Sequence, residues 1–313
     1  MTANTLIEPV KPFNTVVVGE TGVGKTYFHI QTAINYAKGV VGNGSHPRKG
    51  IILNFQNESE YDVFRTLEPT PEEIMKFVNQ AKIEVRQIKA IDSNGNGINS
   101  AQKVEIMILI SQYFRNGLVV YDDIDSYAAF SQDKDLIGSL MGNRHKGMDG
   151  IFAHQAWRKI GVTEVENLKC IRVHHTSDNP MAMPTAKRTA IEINLCMLAY
   201  YAVDTQYNLV TDMYYDGRIK TKKERDIAYS YYVNIDMREK KIWPISDHNF
   251  NIAVKRYATE YPTLIKGEMT SMIFDNVMTH KQRNDSAMNQ LAVKRLQAKF
   301  SRFLKKTATT NKP

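Results

Sequence analysis

Short apolar runs recur along the first half of the chain and alternate with stretches of helical period. Thr15-Val-Val-Val-Gly19, Ile51-Ile-Leu-Asn-Phe55, Gly117-Leu-Val-Val-Tyr121 and Gly150-Ile-Phe-Ala153 are apolar at almost every position. Strands covered on both faces read this way, and half-solvated ones do not. Ile83 to Ile91 alternates apolar with polar, as a half-buried strand does. Helices are predicted between them, over Lys25–Lys38, from Thr70 onward, over Ser100–Arg115 and over Asp133–Met141. The second of these opens on Thr70-Pro71-Glu72-Glu73, with a hydroxyl cap, a proline at the first helical position and an acid at the third. Strands that alternate with helices predict an α/β fold with a mostly parallel central sheet flanked by helices.

After residue 160 the alternation weakens. Lys169–Val173 and Tyr229–Ile235 read as strands, and the second pairs through Arg238–Lys241 with Ile242–Ile245 as a β-hairpin. Phe250–Tyr261 and Gly267–Lys306 read as helices, with a break near Thr279. The expected division is a lead-in over 1–13, a core over 14–204, an accessory β-hairpin and helix region over 205–266, and a basic C-terminal helix and tail over 267–313. With 313 residues, 42% hydrophobic and 24% charged, the chain can build one large or two modest cores and is neither fibrous nor disordered. The longest apolar run, Leu195–Val203, is too short to cross a bilayer, so no transmembrane segment is expected. The first residues lack the basic and apolar regions of a secretory signal, and two cysteines make no disulfide framework. A soluble, non-secreted protein of a reducing compartment is expected.

Chemistry enters with Gly19-Glu-Thr-Gly-Val-Gly24-Lys25-Thr26, which matches G-x-x-x-x-G-K-[ST] in full, after a strand and before a helix. Gly19, Glu20, Thr21, Gly22, Val23, Gly24, Lys25 and Thr26 would cradle the phosphates of ATP with inward-turned backbone N–H groups. Lys25 would reach the β- and γ-phosphates, and the Thr26 hydroxyl would ligate Mg²⁺. Leu118–Asp123 then ends a buried strand on two consecutive carboxylates. Asp122 suits metal binding and Asp123 the polarising of a lytic water, unless it merely caps the next loop. Asp125 reads as a solvated loop acid. Gln155 closes the next strand, where its amide could touch both the γ-phosphate and the water.

GETGVGKT, LVVYDD and NRHKGMDGIFAHQ together resemble the FtsK–HerA superfamily of DNA-pumping P-loop ATPases. Within it the likeness is to genome-packaging ATPases of membrane-containing viruses and to zonula-occludens-toxin-like assembly ATPases of filamentous phages. It covers roughly residues 13–160, including a second strand followed by acids and Tyr61. The resemblance implies a RecA-like core that couples ATP hydrolysis to DNA translocation, with genome packaging as the task. Phage extrusion and a nucleotide-operated switch are the alternatives. It also implies a homo-oligomeric ring, a hexamer or pentamer, that meets DNA and capsid vertex proteins in the host cytoplasm or at a packaging vertex. Arg144 would then be the arginine finger, with Arg158 as runner-up, or else a surface residue at a helix C-terminus.

The chain carries a net charge of +8. From residue 281 onward nine basic residues stand against the single acid Asp285, so the first 280 residues are formally neutral. Ala292, Leu296, Phe300 and Phe303 form an apolar stripe with lysines and arginines around it. Such a helix could grip DNA phosphates, lie peripherally on an anionic membrane, or be an ordinary solvated terminus.

Overall fold

The computed structural model describes residues 14–40, 46–91, 95–127 and 146–261. The lead-in, the helix expected over 133–141, Arg144, His145 and the basic helix from 267 onward lie outside the described residues. The chain divides after Cys170 into two compact units.

The first unit contains β1 (Asn14–Val18), α1 (Lys25–Ala37), β2 (Lys49–Asn54), the short β3 (Arg65–Thr66), α2 (Pro71–Asn79), β4 (Val85–Lys89), α3 (Ser100–Tyr113), β5 (Gly117–Tyr121), β6 (Asp149–His154) and α4 (Val162–Asn167). Its strands lie in the order β3-β4-β2-β5-β6-β1, and each neighbouring pair is parallel. Val16, Val17, Val18, Ile51, Ile52, Leu53, Val119, Val120, Phe152 and Ala153 are wholly buried. The apolar runs are therefore strands covered on both faces, as their lack of alternation requires. Thr70 caps α2, its hydroxyl accepting from the Glu73 amide at 3.3 Å, with Pro71 at the first helical position. On α1, Lys25, His29, Ala33 and Tyr36 point inward, a stripe of helical period that anchors the helix to the sheet.

The second unit holds β7 (Cys170–Val173), which begins at the boundary, α5 (Thr185–Ala190), α6 (Ile193–Tyr215), α7 (Lys222–Tyr229), β8 (Val233–Asp236), β9 (Lys241–Trp243) and α8 (Asp247–Glu260). β8 and β9 form the expected antiparallel hairpin, with Ile235 opposite Ile242. Tyr229 ends a helix and does not begin a strand. Thr221 and Glu224 form a capping box that starts α7, and the strand begins four residues past Tyr229. α6 runs unbroken through residues 204 and 205, where the expected division fell. Leu195–Val203, the longest apolar run, lies within α6 and is mostly buried; α6 packs on α8 through contacts from Asn194 to Gln206. Among the described residues no helix is long and apolar enough to cross a membrane.

Asp149 opens β6 at 2% exposure. Its Oδ2 accepts from Arg48 Nη2 and from the Tyr36 hydroxyl, each at 2.7 Å. Arg48 also lies over the Tyr36 ring, 4.5 Å from its centroid. This cluster ties the end of α1 and the entry to β2 to the central strand β6. Removing one partner of a buried ion pair strands the other charge. Asp149→Ala should lower the free energy of unfolding by about 3–5 kcal/mol, measured by urea denaturation. A loss below about 1 kcal/mol would show that the cluster does not hold the sheet.

Candidate functional site

Parallel strands bring their carboxyl ends to one end of the sheet, where ligands of open α/β sheets bind. The register makes this concrete: Val18 lies opposite His154, Phe152 opposite Tyr121, and Tyr121 opposite Leu53. The residues that leave β1, β5, β6 and β2 therefore meet. β6 separates β1 from β5, so the phosphate loop and the acids after β5 start about 10 Å apart, two strand spacings.

The loop after β1 turns through Gly22 and Gly24, at φ +83° and +86°. These left-handed conformations are costly for any side chain, and Gly24 leads directly into α1. Lys25 is buried, and its Nζ donates to the carbonyls of Gly19 and of Glu20, the latter at 2.8 Å. Burial pushes the Lys25 ammonium below its ordinary pKa, against the pull of Asp122, Asp123, Glu58 and Asp125. The Thr26 hydroxyl donates to Glu58 Oε2 at 2.9 Å.

Asp122 is 5% exposed. Oδ2 accepts from the Tyr61 hydroxyl at 2.6 Å, and Oδ1 accepts from the Asp123 amide at 3.0 Å. His29 Nδ1 lies 3.0 Å from the Tyr61 oxygen and 3.4 Å from Asp122 Oδ1. The tyrosine's one proton goes to Asp122, so Nδ1 of His29 must carry the hydrogen in this network. Burial alone would raise the Asp122 pKa; His29, Tyr61 and Lys25 outweigh it and hold the carboxyl below its usual range.

Asp123 sits in a left-handed conformation at φ 44°. Oδ1 accepts from Gln155 Nε2 at 2.9 Å and Oδ2 from Gln56 Nε2 at 3.2 Å. Burial, then the nearby Asp122 and Asp125, raise its pKa against the pull of Lys25. Glu58 is likewise raised, by burial and by Asp122. It is placed by Asn54 at the end of β2, which accepts from the Glu58 amide at 2.8 Å and donates to the Glu58 carbonyl at 2.9 Å.

Every residue expected at the site within the described segments is thus at one end of the sheet: Gly19 to Thr26, Asp122, Asp123 and Gln155. Arg158 lies exposed in the 3-10 turn Trp157–Lys159 just beyond Gln155. The expectation for Asp125 is corrected. Its side chain is only 10% exposed, Oδ1 lies 2.7 Å from His154 Nδ1, and Oδ2 accepts from the Gln155 amide at 2.9 Å. A buried histidine one residue before Gln155 captures it. Sequence reading also missed His29, Gln56 and the local role of Glu58. Only His29 had a legible signal, standing four residues after Lys25 on the inward stripe of α1.

The donor set fits Mg²⁺. Thr26, Asp122 and Glu58 offer oxygen only, the chemistry a small hard cation prefers. Among the described residues no group of three or more His, Cys, Asp or Glu could hold a metal alone. A Mg²⁺ here would therefore take phosphate oxygens as well, as this ion usually does.

Fold and site define a P-loop NTPase fold. No family model matches the chain, and no curated protein matches it. Solved structures that are similar include the genome packaging NTPase B204 from Sulfolobus turreted icosahedral virus 2 in complex with AMP. That comparison gives 15% identity, 75% of this chain and 98% of that chain covered, and a TM-score of 0.48. The same protein in complex with ATP-gammaS gives 17%, 75% and 97%, and 0.47. The DNA-packaging ATPase B204 from Sulfolobus Turreted Icosahedral Virus gives 15%, 75% and 98%, and 0.44. Identities this low leave the chemistry of this chain to its own residues.

Tyr61 holds the carboxylate that would face the metal, and partners of metal ligands typically matter 10–100-fold. Tyr61→Phe should raise the Mg²⁺ concentration needed for half-maximal nucleotide binding by about tenfold or more, followed by fluorescent-nucleotide titration. An unchanged Mg²⁺ dependence would remove Tyr61 from the site.

Proposed function

We propose that this chain hydrolyses ATP with Mg²⁺ and couples the reaction to DNA translocation, as the motor that loads a genome into a preformed capsid. One observation supports the hydrolytic part above the rest. Lys25, Asp122, Asp123 and Gln155, spread over 130 positions of sequence, converge on one end of the sheet with the two acids held at different pKa values. Acid–base sites part their carboxyls in this way, one kept ionised and one able to take a proton.

Roles follow from the contacts. The glycine loop and the N-terminus of α1 would receive the phosphates. Lys25 would exchange its two carbonyl acceptors for β- and γ-phosphate oxygens. Thr26 and Asp122 would hold Mg²⁺, which supplies charge neutralisation at the phosphates. Asp123, whose carboxyl is poised by burial, would orient and deprotonate the attacking water, with Gln155 on the same carboxylate able to follow the γ-phosphate. Translocation is supported by the motif set GETGVGKT, LVVYDD and NRHKGMDGIFAHQ and by the basic residues beyond 280. A ring of copies would let Arg144 or Arg158 act on a neighbour's nucleotide.

Steady-state ATPase rates with and without DNA, at two salt concentrations, test this directly. Wild type should turn over ATP and accelerate with DNA, less so at high salt as phosphate contacts are screened. Lys25→Ala should abolish turnover, and Asp123→Asn should lower kcat by about 10²–10⁴. Turnover indifferent to DNA at both salts would contradict translocation. Slow turnover that survives Asp123→Asn would favour a nucleotide-operated switch.

A further inference from the structure

Behind Gln155 lies a buried charge cluster that the roles above leave unused. His154 is wholly buried at the end of β6. Nδ1 lies 2.7 Å from Asp125 Oδ1 and Nε2 lies 3.1 Å from Glu164 Oε1. Glu164, in the first turn of α4, is 1% exposed, and its other oxygen accepts from the Gly161 amide. The other oxygen of Asp125 accepts from the Gln155 amide. Both ring nitrogens face carboxylate oxygens, so both must donate, and the ring is an imidazolium. Burial alone would lower its pKa; Glu164 and Asp125 outweigh that and raise it to about 10. The cluster joins three segments: the loop after β5, the end of β6 29 residues on, and the start of α4 ten residues beyond that.

We propose that Asp125, His154 and Glu164 form a clamp that sets the backbone of Gln155, and so holds its side-chain amide on Asp123. The proposal rests on the NTPase reading above and names positioning residues for it. The two carboxylates fix the imidazolium from opposite sides. The imidazolium in turn fixes Asp125, whose free oxygen takes the Gln155 N–H. From there the chain has one residue in which to aim the amide, and the amide reaches Asp123 at 2.9 Å. Asp125 thus locks the sensor side chain to Asp123, the acid two residues before it in its own loop. A buried ionic cluster of this kind adds little net stability compared with apolar packing. Geometry is what it supplies: both nitrogens of His154 are directed, and both oxygens of Asp125 are used.

Asp125→Asn is the sharp probe. Each Asp125 oxygen accepts from a fixed N–H, so an amide NH₂ in either orientation meets a donor. The substitution is isosteric and breaks no hydrogen bond of Lys25, Thr26 or Asp122, although it removes the weakest of the four carboxylate charges that act on Lys25. In steady-state assays the variant should lose about 10–100-fold in kcat, with KM for ATP within about threefold of wild type. That split marks an interaction that matters only in the reacting complex. A merely structural role would lower thermal stability and leave kcat of the folded fraction unchanged, and that result would overturn the clamp. Should Asp125→Asn not fold, ¹⁵N resonances of the His154 ring in wild type decide. Two protonated nitrogens in slow exchange through pH 8.5 support the clamp, and a neutral ring at pH 7 overturns it. Wild type without any turnover would instead defeat the NTPase reading, and with it the clamp as an aid to hydrolysis.

Discussion

Four carboxylates gathered at one end of one sheet are the constraint on which the rest of this structure depends. Asp122, Asp123, Asp125 and Glu58 all act on the ammonium of Lys25. Like charges so placed, on side chains at least partly withdrawn from water, repel strongly enough to shift protonation. The protein answers them one at a time. Asp122 receives His29 and Tyr61, and Asp125 receives the His154 imidazolium. Asp123 receives the neutral amides of Gln56 and Gln155, and Glu58 the hydroxyl of Thr26. Asp123 and Glu58, given only neutral donors, have raised pKa values. A phosphate-bound divalent cation suits the negative charge that remains beside Thr26 and Asp122.

The register of the sheet makes that gathering possible. Fully buried parallel strands admit no slip, because every position on both faces is packed. Val16 to Val18, Ile51 to Leu53 and Val119 to Tyr121 are 0% exposed, and their pairing sets how far each chain end projects. Strand β6 spaces the phosphate loop from the acids and carries Gln155 between them. The Asp149 cluster at the opposite end of β6 fixes where that strand begins.

Much of this was legible in the sequence. The apolar runs gave the strands of the first unit, since fully buried strands need no alternation to be recognised. The glycine-rich loop and the paired acids marked where the candidate site gathers, because each follows an apolar run that becomes a parallel strand of the same sheet. The supporting residues were not legible. Gln56, Asp125 and His154 act through contacts between segments 29 to 67 residues apart, and a pattern read along one strand or helix carries no trace of them; His29 alone stood on a legible stripe. Asp125 shows the reason well. In sequence it is one more acid in a polar loop; in the fold, a histidine on a neighbouring strand withdraws it from solvent. The second unit misled for a local reason. The tyrosines near 229 have strand propensity, yet the Thr221 and Glu224 capping box starts a helix that reaches Tyr229, whose ring stacks on Tyr207 at 4.4 Å.

The measurement that bears most directly on the site is calorimetric titration of ATP into wild type and Lys25→Ala, each with and without Mg²⁺. Lys25 would give phosphate oxygens at least two charge-assisted hydrogen bonds at about 1.5–3 kcal/mol each, roughly a hundredfold or more in affinity. Wild type should therefore bind ATP with clear Mg²⁺ dependence, and Lys25→Ala should bind at least a hundredfold more weakly. Equal affinity in the two proteins, or binding indifferent to Mg²⁺, would contradict the placing of nucleotide between the glycine loop and the acids.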